Sequence, residues 1–121
     1  MSKILVVDDN RGIRLLLFET LKEDHYEVEM AANGEEALRV FVDFVPEIIL
    51  LDMKMPGMSG IETLEKIRAI DGRTVVIMMT AYEDIQYMEL AEDLGISYYI
   101  SKPFDLFELR ERLRQILNSP G

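Results

Sequence analysis

The sequence predicts a doubly wound α/β fold, a five-stranded parallel sheet in the order 2-1-3-4-5 with helices on both faces. Three observations carry this. Five short runs rich in aliphatic residues recur along the 121 residues, at 3–7, 26–30, 47–51, 74–79 and 97–101. Stretches of helical periodicity lie between them and after the last, a (βα)5 alternation that implies a parallel sheet. The first, third and fourth runs are nearly unbroken Val, Ile, Leu and Met, as strands covered on both faces require.

Each element has its own signal. The second run alternates Val28 and Met30 with Glu27 and Glu29, which places it on an edge. Right-handed crossovers leave few strand orders, and an edge position for strand 2 selects 2-1-3-4-5. Strands 1 and 3 are then neighbours at the switch point, outside whose carboxyl ends such sheets bind ligands. Ser59 and Glu62 form a capping box, and Asn33 with Glu36 and Asp105 with Glu108 follow the same logic. Gly72 and Gly95 sit where helices are expected to end. Pro46 and Pro103 punctuate loops.

Composition narrows the function. Lys plus Arg number 13 against 23 Asp plus Glu, a formal charge of −10, with 49% apolar residues. That suits one folded domain over residues 1–121 rather than a disordered chain. The absence of cysteine excludes disulfides, a thiol nucleophile and Cys-based metal sites, and one histidine, His25, excludes a multi-His site. Net acidity argues against nucleic acid as a partner. No apolar run reaches the roughly 18–20 residues of a membrane span, and Met1-Ser2-Lys3 followed directly by Ile4-Leu5-Val6-Val7-Asp8 is too short for a signal peptide. A soluble, cytoplasmic domain is expected. Residues 1–60 hold 6 basic and 12 acidic side chains and residues 61–121 hold 7 and 11, so the acid is not a tail.

The strand ends collect chemistry. Strand 1 leads into Asp8-Asp9, strand 3 into Asp52, strand 4 into Thr80 and strand 5 into Lys102-Pro103. Singly each has a plain reading: Asp9 as a helix cap, Asp52 as a turn former, Thr80 capping a helix with Glu83, Lys102 as a solvated lysine. Together they crowd three carboxylates on one rim, and two such charges about 5 Å apart repel by roughly 3 kcal/mol at an effective dielectric of 20. Lys102 relieves part of that. An all-oxygen donor set points to a hard divalent ion, Mg²⁺ or Mn²⁺, for the rest. A carboxylate, a hard cation, a lysine and a hydroxyl together can take up a phosphoryl group as an aspartyl phosphate. No G-x-G-x-x-G or P-loop motif provides a nucleotide cradle.

This ordered set, with the loop Asp52-Met53-Lys54-Met55-Pro56-Gly57-Met58-Ser59-Gly60, strongly resembles the response-regulator receiver domain over essentially the whole chain. The segments Asp8-Asp9-Asn10-Arg11-Gly12-Ile13-Arg14, Thr80-Ala81-Tyr82 and Lys102-Pro103-Phe104-Asp105 are most similar to single-domain regulators of the sporulation phosphorelay. The resemblance implies a flavodoxin-like fold and roles that spacing cannot assign. Asp52 is implied as phosphoacceptor. Asp9, Asp52 and the Lys54 carbonyl are implied as Mg²⁺ ligands, with Asp8 acting largely through water. Lys102 is implied as the phosphoryl counter-ion, Thr80 as a switch hydroxyl and Tyr99 as the switch aromatic. Plain strand packing is the other reading of Tyr99. The family commonly has a cis Lys-Pro bond at the position of Lys102-Pro103.

A partner surface is also expected. Ile13, Leu15, Leu16, Leu17, Phe18 and Leu21 cover most of the first helix, more than one buried stripe needs. With Gly12, Ile13 and Leu16 facing outward beside Pro103 and Phe104, an apolar patch would adjoin the acidic rim. Deep burial of the helix is the competing reading. The resemblance implies that this face docks the four-helix bundle of a sensor histidine kinase or histidine phosphotransferase, through which a downstream response regulator is reached. Met53, Met55 and Met58 could add contact surface or pack the loop. Residues 105–118 finish the last helix and 118–121 read as a frayed end. A stand-alone receiver is therefore expected, which catalyses its own phosphorylation and slow dephosphorylation. The alternative is a receiver domain cut from a longer transcriptional regulator. A haloacid-dehalogenase-type phosphatase would need a second Asp where Asn10 stands. A flavodoxin-like FMN binder would need a Ser/Thr/Gly-rich phosphate loop after strand 1.

Overall fold

Strands and helices alternate along the chain in the computed structural model, which describes residues 2–81, 86–96 and 98–118. The elements are β1 (Lys3–Val7), α1 (Arg11–Glu23), β2 (Glu27–Ala31), α2 (Gly34–Phe44), β3 (Ile48–Asp52), α3 (Gly60–Ile70), β4 (Val75–Thr80), α4 (Met88–Asp93), β5 (Tyr98–Ser101) and α5 (Leu106–Leu117). All strand pairs are parallel and the sheet order is β2-β1-β3-β4-β5, as expected. Strands 2, 3 and 4 lie one residue later than the sequence suggested, so Asp52 and Thr80 are the last residues of their strands. Ser97, expected to open strand 5, is outside the described residues, as are Tyr82 and Glu83.

Strand parity decides which core each side chain joins, since successive side chains point to opposite faces. Ile4, Val6, Ile48, Leu50, Ile77 and Met79 pack with Leu17 and Leu21 of α1 and Leu109 and Leu113 of α5. Leu5, Val7, Ile49, Leu51, Val76 and Met78 pack on the other face with residues of α2, α3 and α4. This two-sided burial is why three strands carry almost no polar residue until their carboxyl ends.

Helix starts follow the expected chemistry. Ser59 and Glu62 make both bonds of a capping box. The Asn33 side chain accepts from Glu36 N–H, and that of Asp105 from Phe107 and Glu108 N–H. The α1 cap is Asn10, not Asp9: its side chain accepts from Ile13 N–H at 3.1 Å. Helix ends were less legible. Gly95 has the expected left-handed φ of +77°, but α3 ends on an extended Asp71, with no left-handed role for Gly72. Left-handed conformations after α1 and α2 fall instead on His25 and Val45. Arg68 of α3 ties the far end of α4. Its guanidinium donates to the carbonyls of Leu94 at 2.7 Å, Gly95 at 2.8 Å and Thr74 at 2.8 Å. Burial holds this guanidinium below its ordinary pKa.

Gly60 seats α3 against the end of β3. Its N–H donates to the Met53 carbonyl at 2.8 Å, and a β-carbon there would strike the Asp52 carbonyl oxygen and Met53 Cα. Both obstacles are backbone, so relief requires α3 to move away. Gly60→Ala is therefore expected to cost about 2–3 kcal/mol in urea denaturation, the range of an overpacked site. Gly72→Ala, with nothing within 4 Å of the new methyl, should leave stability unchanged or raise it by up to about 1 kcal/mol.

Candidate functional site

Register and parity bring three charged groups to one place. Val7 pairs with Leu51 across β1 and β3, so Asp8 and Asp52, one step further, are neighbours at the carboxyl edge. Asp8 continues the Ile4–Val6 parity and Asp52 the Ile48–Leu50 parity, toward the face that carries α1 and α5. Lys102 continues from Ile100, which packs on that same side. Its ammonium lies 2.9 Å from Asp8 Oδ2 and 3.2 Å from Asp52 Oδ1. Lys102-Pro103 is a cis peptide.

Asp8 is wholly buried and Asp52 is 5% exposed, whereas Asp9 is open to solvent. One carboxylate oxygen from each of the three lies within 4.8 Å of the others. Asp8 is held on every side: its N–H donates to Ala31 O at 3.2 Å and its Oδ1 accepts from Asn10 N–H at 2.8 Å. Three carboxylates with no nitrogen or sulfur donor fit a hard divalent cation, which takes oxygen ligands and retains water. Asp8 already uses both oxygens, on Asn10 and Lys102, so Asp9 and Asp52 are the better placed to reach an ion directly.

The other predicted residues fall around this cluster. Thr80 is 5% exposed, and its hydroxyl donates to the Ile100 carbonyl over a long 3.5 Å. Its carbonyl accepts from Lys102 N–H at 2.6 Å. Lys54 lies two residues past Asp52 with its side chain exposed. Tyr99 is 56% exposed, so it is not a packed strand residue. The expected apolar patch is exposed in part. Ile13 and Phe104 are half-buried against the α1–α5 core, while Gly12 and Pro103 are exposed. The outward residues are Leu16, at 48%, Leu15, and above all Phe107 of α5 at 71%. Phe107 was missed; an aromatic in the first turn of a helix whose buried positions are Leu109 and Leu113 is the signal that could have found it. Met53 and Met55 are buried, which makes them loop packing rather than contact surface.

Burial, then the charge of Asp8, pushes the Asp52 carboxyl up to about 7 from 3.8, against the opposing attraction of Lys102. Burial alone would lower the Lys102 pKa, but its bonds to Asp8 and Asp52 raise it on balance. The folded chain thus holds the Asp52 proton more tightly than the unfolded chain does. Stability contributed by the neutral form is full below pH 4 and is lost as pH rises toward 7. Asp52→Asn should therefore be more stable than wild type at pH 8 in metal-free buffer. A gain of about 1–2 kcal/mol is expected, after allowing for solvent around the pair. No gain is expected below pH 4, and thermal midpoints at the two pH values check both.

Relatives place this arrangement. The family model described as response regulator receiver domain matches residues 4–114. The sporulation initiation phosphotransferase F of Bacillus subtilis (strain 168) is 43% identical over 116 residues, which span 96% of this chain and 94% of that protein. Regulatory protein AtoC of Escherichia coli (strain K12) is 39% identical over 109 residues, 90% of this chain but only 24% of AtoC. The solved structure of a receiver domain protein from Methanospirillum hungatei JF-1 superposes with a TM-score of 0.92 at 31% identity, covering 98% of this chain and 94% of that one. The chemotaxis protein CheY4 of Vibrio cholerae gives 0.89 at 31% identity, covering 96% and 98%. A buried aspartate at the end of the central strand, faced by a lysine from beyond the edge strand, is thus set in a chain that belongs to the response regulator receiver domain family of two-component signalling.

Proposed function

We propose that the chain takes a phosphoryl group from a phosphohistidine onto Asp52 and then passes it on or signals by protein contact. The observation that carries this is the Asp52 carboxylate, nearly buried at the tip of β3 yet 3.2 Å from an ammonium and beside two further carboxylates. An Asp52 oxygen attacks phosphorus as the phosphorus–nitrogen bond breaks. The departing imidazole nitrogen keeps the bonding pair and takes a proton. Asp9, Asp52 and the Lys54 carbonyl would hold Mg²⁺ or Mn²⁺, with Asp8 assisting through water. When bound, that cation supplies positive charge to offset both the carboxylates and the phosphoryl oxygens. Lys102 turns from its two carboxylates to a phosphoryl oxygen. Thr80 gives up a 3.5 Å bond, a weak one, to contact another, and Tyr99 responds on the neighbouring strand.

The donor is proposed to be a four-helix-bundle histidine kinase or phosphotransferase, docking on Leu15, Leu16, Pro103 and Phe107 beside the rim, with Gly12, Ile13 and Phe104 beneath or between them. A downstream response regulator would receive the group through such a phosphotransferase. The match that spans 94% of the sporulation phosphotransferase supports a relay of that kind. The short share of AtoC supports the second reading, a receiver that serves within a longer regulator. No helix among the described residues is long and apolar enough to cross a membrane, and a cytoplasmic location is part of the proposal.

Acetyl phosphate or phosphoramidate with Mg²⁺ should yield one hydroxylamine-labile phosphoryl adduct per chain by intact mass. Asp52→Ala should give none, and stable full labelling of that variant would remove Asp52 as acceptor. Lys102→Gln should slow labelling by about 10²–10³-fold, the cost of losing one strong electrostatic group. Leu16→Ala should slow transfer from a phosphohistidine donor at least about 10-fold, a loss of roughly 1.4 kcal/mol, while small-donor labelling is kept. Equal loss in both assays would count against the docking face.

A further inference from the structure

The first turn of α1 breaks a pattern that the other helices keep. α2, α3, α4 and α5 each carry Glu in the first turn, where the helix dipole favours anions. α1 carries none, and it has Arg11 and Arg14 there instead. Cations at that end oppose the dipole, so something else must hold them. For Arg14 the partner is visible. Its Nη1 reaches back over the turn and donates to the backbone carbonyl oxygen of Asp8 at 2.7 Å.

That bond completes the restraint of Asp8. Its N–H is held by Ala31, its Oδ1 by Asn10 and its Oδ2 by Lys102, while its carbonyl is held by Arg14 alone among the described contacts. The Asp8 carbonyl belongs to the peptide that leads into Asp9. With the peptide planar, fixing that oxygen fixes the plane, and the plane sets the direction in which Asp9 leaves the chain. Asp9 is the exposed member of the three-carboxylate group, the one that burial does not hold in place.

We propose that Arg14 is a positioning residue for a divalent-cation site: by holding the Asp8 carbonyl it aims the Asp9 carboxylate toward Asp52. This rests on the reading that Asp9 and Asp52 hold Mg²⁺. Groups that orient ligands in this way typically set metal affinity by 10–100-fold.

Sign separates positioning from charge. If Arg14 mattered only as a positive charge near the pocket, removing it would strengthen the binding of another cation. If it positions Asp9, removing it weakens binding. The test is the thermal midpoint of the intact chain as Mg²⁺ is titrated, from which an apparent Kd follows by mass action. Arg14→Met, which keeps the aliphatic stem and loses the donors, is expected to bind Mg²⁺ at least about 10-fold more weakly. Arg14→Lys, with one donor in place of a planar fork, should recover most of the affinity and lie about 2–3-fold below wild type. Arg11→Ala removes a charge from the same turn and should bind as tightly as wild type or slightly tighter. At saturating Mg²⁺, labelling of Arg14→Met by acetyl phosphate should return to near the wild-type rate. Mg²⁺ affinity at or above wild type in Arg14→Met overturns the proposal. If that variant does not fold, the same result in Arg14→Lys overturns it. Should wild type itself show no Mg²⁺ shift that Asp9→Ala abolishes, the cation site fails and the proposal fails with it.

Discussion

One ammonium held between two buried carboxylates organises this molecule. Asp8 is completely buried and Asp52 nearly so, and they stand side by side at the end of neighbouring strands. A buried ion without a partner costs several kcal/mol, which no single surface contact offsets. Lys102 contacts both, yet one positive charge cannot neutralise two negative ones. The deficit explains why burial and Asp8 together lift the Asp52 carboxyl so far. It also explains why the pocket is receptive: with Asp9 at its mouth, it is short of positive charge and open on one side.

Such a cluster could hardly be built on one strand. Three parallel segments deliver one group each, and the period of two along each strand places those groups on the same face. The apolar residues beneath them, from Ile4 to Val6 and from Ile48 to Leu50, fix the register, since a one-residue slip would bury the wrong set. Packing therefore specifies the geometry of the charges. The close approach of Gly60 to the end of β3 serves the same end, because α3 then begins directly against the backbone that carries Asp52.

How much of this was legible depended on whether the signal was local or periodic. Continuous aliphatic runs and the alternating Glu27–Met30 segment were enough for the strand order. Asp8, Asp9, Asp52, Thr80 and Lys102 could be collected because they all sit at strand ends. Strand limits shifted by one residue because the flanking Tyr26 and Thr74 are strand-type residues, and because Glu47 itself bonds to both neighbouring strands, its N–H donating to the Lys3 carbonyl and its carbonyl accepting from Val75 N–H. The outward face of α1 was legible only in part, with Gly12 and Leu16 exposed as expected and Ile13 half-buried, for a related reason. Six apolar residues cover most of a helix, so composition says that some are exposed, but only the packing against the sheet and α5 decides that Ile13 is half-covered while Leu15 lies open beside Leu16. Left-handed Val45 was beyond reach, since a β-branched residue disfavours that conformation; His25 is of a type that does visit it, but a lone His carries too weak a signal to place a helix end. Arg68 left no trace in the sequence because all its partners are backbone carbonyls.

The site also straddles a boundary in firmness. β1, β3 and β4 hold residues that are almost all fully buried, and Asp8 and Asp52 are rooted there. β5 has four residues, of which Tyr98 and Tyr99 are 37% and 56% exposed, and α4 beside it is only six residues long. Regions with little buried apolar contact open at lower free energy than the core. Lys102 follows β5, and its N–H donates to the Thr80 carbonyl at 2.6 Å, so the residue beyond the less buried β5 is tied to the last residue of the firm β4 across that boundary. On the proposed reading, a phosphoryl group on Asp52 would draw Lys102 toward the firm side, and the strain would fall on β5 and the near end of α4, while Arg68 keeps the far end tied to α3. The proposed acceptor, with Thr80, thus belongs to the firm part, and the lysine that would answer it belongs to the part that yields.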